Sequence, residues 1–223
     1  MEDLSLSEKV YLLAIRPEKG GFRVMAGNSF NYLLTGACLL ELFLLKKIAF
    51  HHKRIEILDS GTDSDLHRFL MEKLSVPRRP KKIASWLSRF QFSHKIIRGY
   101  IADSLVRQKQ LRLADRSFLF FRWKRPELLT KRRLYNILED LHRAAFQGSE
   151  NPDDYLLLSL IETGPLWSRV FPERHQRKQA RQRIRQIREN NQFPAAIAEA
   201  IKASAAVAVS VNAATATNLY TSN

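Results

Sequence analysis

The chain has 223 residues, 45% hydrophobic and 26% charged, so it can bury a sizeable core and is not a disordered polyelectrolyte. Lys and Arg outnumber Asp and Glu by 37 to 22, a net charge of +15 that favours polyanionic partners, either nucleic acid or an anionic membrane surface. A single cysteine, Cys38, excludes an internal disulfide framework and a thiolate zinc cluster, and its apolar surroundings predict a buried, inert thiol.

Ser5 and Glu8 fit a capping box opening a short helix that carries Val10, Leu12, Leu13 and Ile15. Pro17, Gly20 and Gly21 end it, and the glycine pair reads as a turn needing positive φ rather than a phosphate loop. Residues 22–25 read as a brief extended piece. Asn28 or Ser29 caps a second helix running to about Leu45, apolar nearly all round and therefore central in the fold. Its apolar run over 32–45 is too short to span a bilayer and is interrupted by Glu41. With no positive leader at the N-terminus, the expectation is a soluble, cytoplasmic protein.

Residues 48–58 alternate like a strand, with His51, His52, Lys53 and Arg54 at a bend. The two histidines lack acidic or cysteine partners at metal spacing and read as a solvated turn. Residues 59–64 form a turn and helix cap, where Asp63 and Asp65 serve as caps rather than ligands. Leu66, Phe69, Leu70 and Leu74 then mark an amphipathic helix. The PRRP segment at 77–80 is a stiff linker, and Ile83, Trp86, Leu87 and Phe90 mark a further short helix.

From 93 to 109, Ile96, Ile97, Tyr100, Ile101 and Leu105 gather on one helical face, with Lys95, Arg98, Ala102 and Lys109 on the other. The pattern then changes. Leu111 and Leu113 alternate with polar residues, Ala114, Asp115 and Arg116 can turn, and residues 118–123 are β-prone. A hairpin follows from this, with Phe118 and Phe120 on one side and Leu119, Phe121 and Trp123 on the other. One side can face the body of the protein; the other is either core as well or meets a partner or a membrane.

Thr130 caps a helix carrying Leu134, Ile137, Leu138, Leu141 and Ala145, and residues 147–154 read as a polar loop. Residues 155–161 form an apolar helix before Gly164-Pro165, and Trp167, Val170 and Phe171 continue the core. In the dense basic run 173–191, Arg174, Lys178, Arg181, Arg185 and Arg188 share one face opposite Ala180, Ile184 and Ile187. Pro194 starts an Ala-rich helix that frays after about Val211. The fold class is mainly α: a compact helical bundle with a short strand pair and one projecting β-hairpin, a single domain over 1–215 with a disordered tail at 216–223.

No GxSxG, HExxH, Walker A or dinucleotide fingerprint occurs, and the adjacent Glu139 and Asp140 point in different helical directions. The chain therefore reads as a binding protein without catalytic residues, metal or cofactor. Read from charge alone, one candidate is a nucleic-acid binder that lays the 174–188 helix along a phosphate backbone. That helix lacks aromatic interleaving, and no recognition helix is evident, which disfavours nucleic acid.

The order of several stretches carries more than any one of them: LSLSEKVYLLAI at 4–15, LLTGACLLELFLLKKI at 33–48, DSGTDSDL at 59–66, IASWLSRF at 83–90, GYIADSLVRQKQL at 99–111, SFLFF at 117–121 and ARQRIRQI at 180–187. In this order the chain resembles the Golgi phosphoprotein 3 family of phosphoinositide-binding adaptors, as a bacterial-type member, over nearly its whole length. The resemblance implies a mostly helical fold with a projecting hairpin, peripheral membrane attachment and no enzymatic activity. In eukaryotic members the phosphatidylinositol 4-phosphate headgroup is held by a tryptophan, an arginine before the helix-2 glycine, and two arginines on the helix before the hairpin. The last two fall on Lys95 and Arg98. Thr35 stands before Gly36 and no tryptophan occurs at 26–30, which implies a less selective binder of anionic lipid. The resemblance also implies a homo-oligomer, with Phe118, Leu119, Phe120, Phe121 and Trp123 serving self-association or membrane docking, and cytoplasmic tails of membrane proteins as clients.

Overall fold

Helix α2 (Ser29–Leu44) runs through the middle of the computed structural model, buried at every position from Phe30 to Leu42, as its all-round apolar sequence requires. The structure describes residues 3–23, 29–77, 79–118, 120–162, 164, 166–189 and 207–212. The predicted extended residues 24–25, the start of the last helix at Pro194 and the tail at 216–223 lie outside them.

Helix α1 (Leu6–Ala14) packs on α2, and the predicted capping box is present. The Glu8 N–H donates to the Ser5 hydroxyl at 3.4 Å, and the Ser5 N–H donates to the Glu8 carboxylate at 2.9 Å. Glu41, the interruption in the apolar run of α2, is buried but satisfied. It accepts the Ser7 N–H at 2.6 Å and pairs with His67 Nε2 at 2.9 Å, tying α1 and α2 to α3 (Asp65–Ser75). Residues 207–212 are helical and lie against α2 at Gly36, where a Cβ would stand 2.7 Å from Val207 Cγ1.

The 48–58 segment is a small antiparallel pair, β1 (Ile48–His51) and β2 (Arg54–Ile57), turned by His52 and Lys53 at φ of 48° and 60°. After α3 come α4 (Ile83–Phe90), a 3-10 turn (Gln91–Ser93) and α5 (His94–Arg107). The hairpin β3 (Leu111–Phe118) and β4 (Phe121–Leu128) precedes α6 (Arg132–Phe146), α7 (Pro152–Ile161), α8 (Trp167–Val170) and α9 (Arg174–Glu189). The mainly helical class with short strand pairs is as the sequence predicts. Ala180, Ile184 and Ile187 form the buried stripe of α9, with Arg174, Lys178, Arg181 and Arg185 exposed opposite. Among the described residues no helix is long and apolar enough to cross a membrane.

The structure moves several expected boundaries. Helix α7 begins at Pro152 rather than 155, because Asn151 accepts the Asp153 N–H and Pro152 is well suited to a first helical position. Glu139 and Asp140 share one basic partner on α6. Both reach Arg143, at 3.2 and 3.4 Å, as exposed pairs one turn away. In the hairpin, Ala114, Asp115 and Arg116 are strand residues paired with Arg125, Lys124 and Trp123, and the register closes at Phe118 opposite Phe121. The connection therefore falls at 119–120, within the apolar run. Two arginines hold this longer ladder: Arg112 and Arg116 both donate to Glu127, at 3.0 and 2.7 Å.

Candidate anionic-headgroup site

About 100° per residue places Ile97, Ile101, Leu105 and Ala102 along one continuous arc of α5, and these are its buried residues. The arc is rotated from the one the sequence suggests. Ile96 is outside it and exposed, Ala102 is inside it, and Arg98 falls within it, between Leu105 and Ala102. The rotation follows from packing on three sides, since α5 touches α1, α2 and α3. Periodicity alone weighs Ile96 equally with Ile97 and cannot see those neighbours.

Lys95 is exposed, as expected, whereas Arg98 is half-buried. Its guanidinium carbon lies 4.9 Å from the centre of the Phe22 ring and 5.0 Å from that of Phe30. The two rings are 5.3 Å apart, and Tyr11 meets Phe22 edge-on at 5.0 Å. Burial pushes the Arg98 guanidinium down, partly opposed by Tyr11, and burial likewise raises the Tyr11 hydroxyl. Arg98 Nε is enclosed without a hydrogen-bond partner, and neither Lys95 nor Arg98 has an ion pair among the described residues. A guanidinium remains charged under these conditions, so this cation is partly desolvated and lacks a counter-ion among the described residues.

Two further arginines, Arg23 and Arg169, lie close to each other. Arg23 follows Phe22, and Arg169 of α8 lies close enough to feel its charge. Burial first, and Arg23 second, bring the Arg169 guanidinium down to about 10. Thr35 is buried in α2 and supplies no charge, and the 26–28 stretch lies outside the described residues. Phe22, Phe30 and Tyr11 were not legible as site residues, because each is an ordinary core aromatic until a cation from α5 packs against it.

The hairpin base is fixed to the body. Leu111 and Pro126 are buried, and the Gly21 N–H donates to the Pro126 carbonyl at 2.7 Å. Gly20 and Gly21 have φ of 63° and 66°, and a Cβ on Gly20 would meet Glu127 Cγ at 2.7 Å, so the pair serves a turn closely approached by β4. Arg125 donates to the carbonyls of Lys19 and Gly20. Towards the tip the strands leave the body: Phe120 is 97% exposed and Trp123 48%. The alternative that both hairpin faces are core does not hold for these two residues. Leu119 and the side chains of Phe118 and Phe121 lie outside the described residues. His51 and His52 are exposed, and no group of metal-binding side chains occurs among the described residues.

The protein thus combines a buried helical scaffold, a hairpin arm and, on α5, two cations without an ion pair among the described residues. The family model of Golgi phosphoprotein 3 (GPP34) matches residues 6–204, and the chain belongs to that family, one of non-enzymatic adaptors. No curated protein gives a significant match to the chain.

Proposed function

We propose that this protein is a peripheral membrane adaptor that binds anionic lipid headgroups of the phosphatidylinositol 4-phosphate type through Lys95 and Arg98. Arg98 carries the reading. A half-buried guanidinium stacked on two rings, with an enclosed Nε and no carboxylate, costs folding energy unless an anion completes it. Lys95, one helical turn earlier, adds an exposed charge just outside the buried arc of α5. The hairpin, with Phe118, Leu119, Phe120, Phe121 and Trp123, provides self-association or a second membrane contact, and the bound protein presents its remaining surface to cytoplasmic tails of membrane proteins.

Buried Thr35 and the absence of tryptophan at 26–30 support modest selectivity among acidic lipids. Co-sedimentation with phosphatidylcholine vesicles, alone or doped with phosphatidylserine or phosphatidylinositol 4-phosphate, tests the proposal. Binding is expected only to the acidic vesicles, with a preference for the phosphoinositide below about tenfold, or 1.4 kcal/mol. Lys95→Glu is expected to weaken that binding several-fold, since each basic group near an anionic surface contributes about 1 kcal/mol. Equal binding to neutral vesicles, or complete displacement by duplex DNA through the exposed arginines of α9, would replace this reading.

A further inference from the structure

Among the described residues, the most exposed aromatic outside the hairpin is Phe92, in the 3-10 turn that leads into α5. It is 93% exposed, and Val76 at the end of α3 and Ile96 on α5 are 73% and 49% exposed. Phe92, Lys95 and Ile96 are spaced three and four residues apart along nearly continuous helix, so they occupy one outward face. Gly99, next along that face, has open space where a side chain would be. Beside Phe92 lies a groove of about 430 Å³, whose lining holds the cations Lys73 and Arg89 and no carboxylate. Both cations lie over aromatic rings, Lys73 over Phe69 at 5.7 Å and Arg89 over Trp86 at 5.4 Å.

From this arrangement we infer that Phe92, flanked by Val76 and Ile96, is a wedge that enters the acyl region of an anionic bilayer while Lys73, Arg89 and Lys95 meet its headgroups. The inference rests on the lipid reading above, with Lys95 shared by the two surfaces. The charge of the rim selects the occupant. A second copy of this chain would set like charges against each other around the groove, whereas an acidic leaflet supplies the opposite sign everywhere along the rim. Amphipathic cations beside an apolar prong also suit the interface, where their stems lie in the apolar layer and their charges stay in water. The face changes character at Asp103, which is exposed two turns beyond Ile96, so the N-terminal end of α5 is the end that points at the membrane.

Cys38 is wholly buried with its thiol pushed well up, so Phe92→Cys provides one reactive thiol for an environment-sensitive fluorophore on the full-length protein. On vesicles of phosphatidylcholine with phosphatidylserine, the label is expected to shift to the blue and to be quenched by spin labels on the acyl chains. Phe92→Asp is expected to weaken binding at least about tenfold, or 1.4 kcal/mol, without changing the thermal midpoint, because the side chain touches little of the fold. Three results overturn the inference. If wild type fails to bind acidic vesicles, the lipid reading falls with it. If wild type binds while the label stays water-like and Phe92→Asp binds normally, the wedge alone is wrong. A blue shift that grows with protein concentration in the absence of vesicles identifies Phe92 as a contact between copies instead.

Discussion

At the scale of single residues, Arg98 sets function against stability. Cation–π contact with two rings contributes up to about 2 kcal/mol when desolvated, while leaving a guanidinium nitrogen enclosed and unpaired costs about 1–3 kcal/mol. The two effects are of similar size and largely cancel, so Arg98→Met is expected to keep the urea midpoint close to that of wild type, its thioether filling the slot between Phe22 and Phe30. The same variant should lose most of its binding to acidic vesicles. A fall in stability beyond about 1 kcal/mol would instead mark Arg98 as a structural cation. Asp154 gives a second residue-scale expectation. Burial raises its carboxyl above the ordinary 3.8, against the hydrogen bond from Ser149 at 2.6 Å. A carboxyl raised in the folded state favours folding most below 3.8, and that contribution is lost as pH rises through its folded value. Asp154→Asn should therefore show a higher urea midpoint than wild type at neutral pH, with the difference shrinking at pH values below the ordinary carboxylate range.

Elements divide into anchored and free parts, and the hairpin contains both. Its base is held by the Gly21–Pro126 hydrogen bond, by Arg125 on the Lys19 and Gly20 carbonyls, and by buried Leu111. Hydrogen bonds from Arg116 and Arg112 hold the Glu127 carboxyl below its usual range and pin the ladder. Beyond that, a two-stranded ribbon cannot bury the aromatics at its own tip. Replacing both Phe120 and Trp123 by serine should leave stability within about 0.5 kcal/mol, as expected for exposed positions. Light scattering should then report a smaller species than wild type, and vesicle avidity should fall, because linked sites lose their effective concentration. A wild type that scatters as a monomer at high concentration would remove self-association and leave the tip as a membrane contact.

For the molecule as a whole, the core is continuous from α1 through α7 to α9 and the 207–212 segment, with α2 at its centre. Gly36 is where the late segment meets that centre. A larger side chain there must displace Val207 or Val211, so Gly36→Leu should cost about 1–3 kcal/mol by overpacking. Hydrogen exchange should show the loss first at 207–212 and only then in α2. Uniform loss across both would show that the segment and the central helix open together.

Local chemistry was readable from the sequence. The Ser5–Glu8 box, the burial of α2, the exposed histidine turn, the two-faced α9 and the inert Cys38 each depend on neighbours within a few positions or on composition, and the order of those elements carried the family. Lys95 was placed correctly for the same reason, as an exposed cation on an amphipathic helix. Tertiary structure decided the rest, because it concerned which distant surfaces meet. The contacts of α5 with α1, α2 and α3 rotate its buried arc, bringing Arg98 against Phe22 and Phe30 and leaving Ile96 and Phe92 in water. The anchoring of β4 on the Gly20–Gly21 turn and the arginine clasp on Glu127 extend the hairpin past Asp115 and move its turn into the apolar run. A side chain's helical angle follows from its number in the chain, but whether that angle faces protein or solvent depends on partners many residues away.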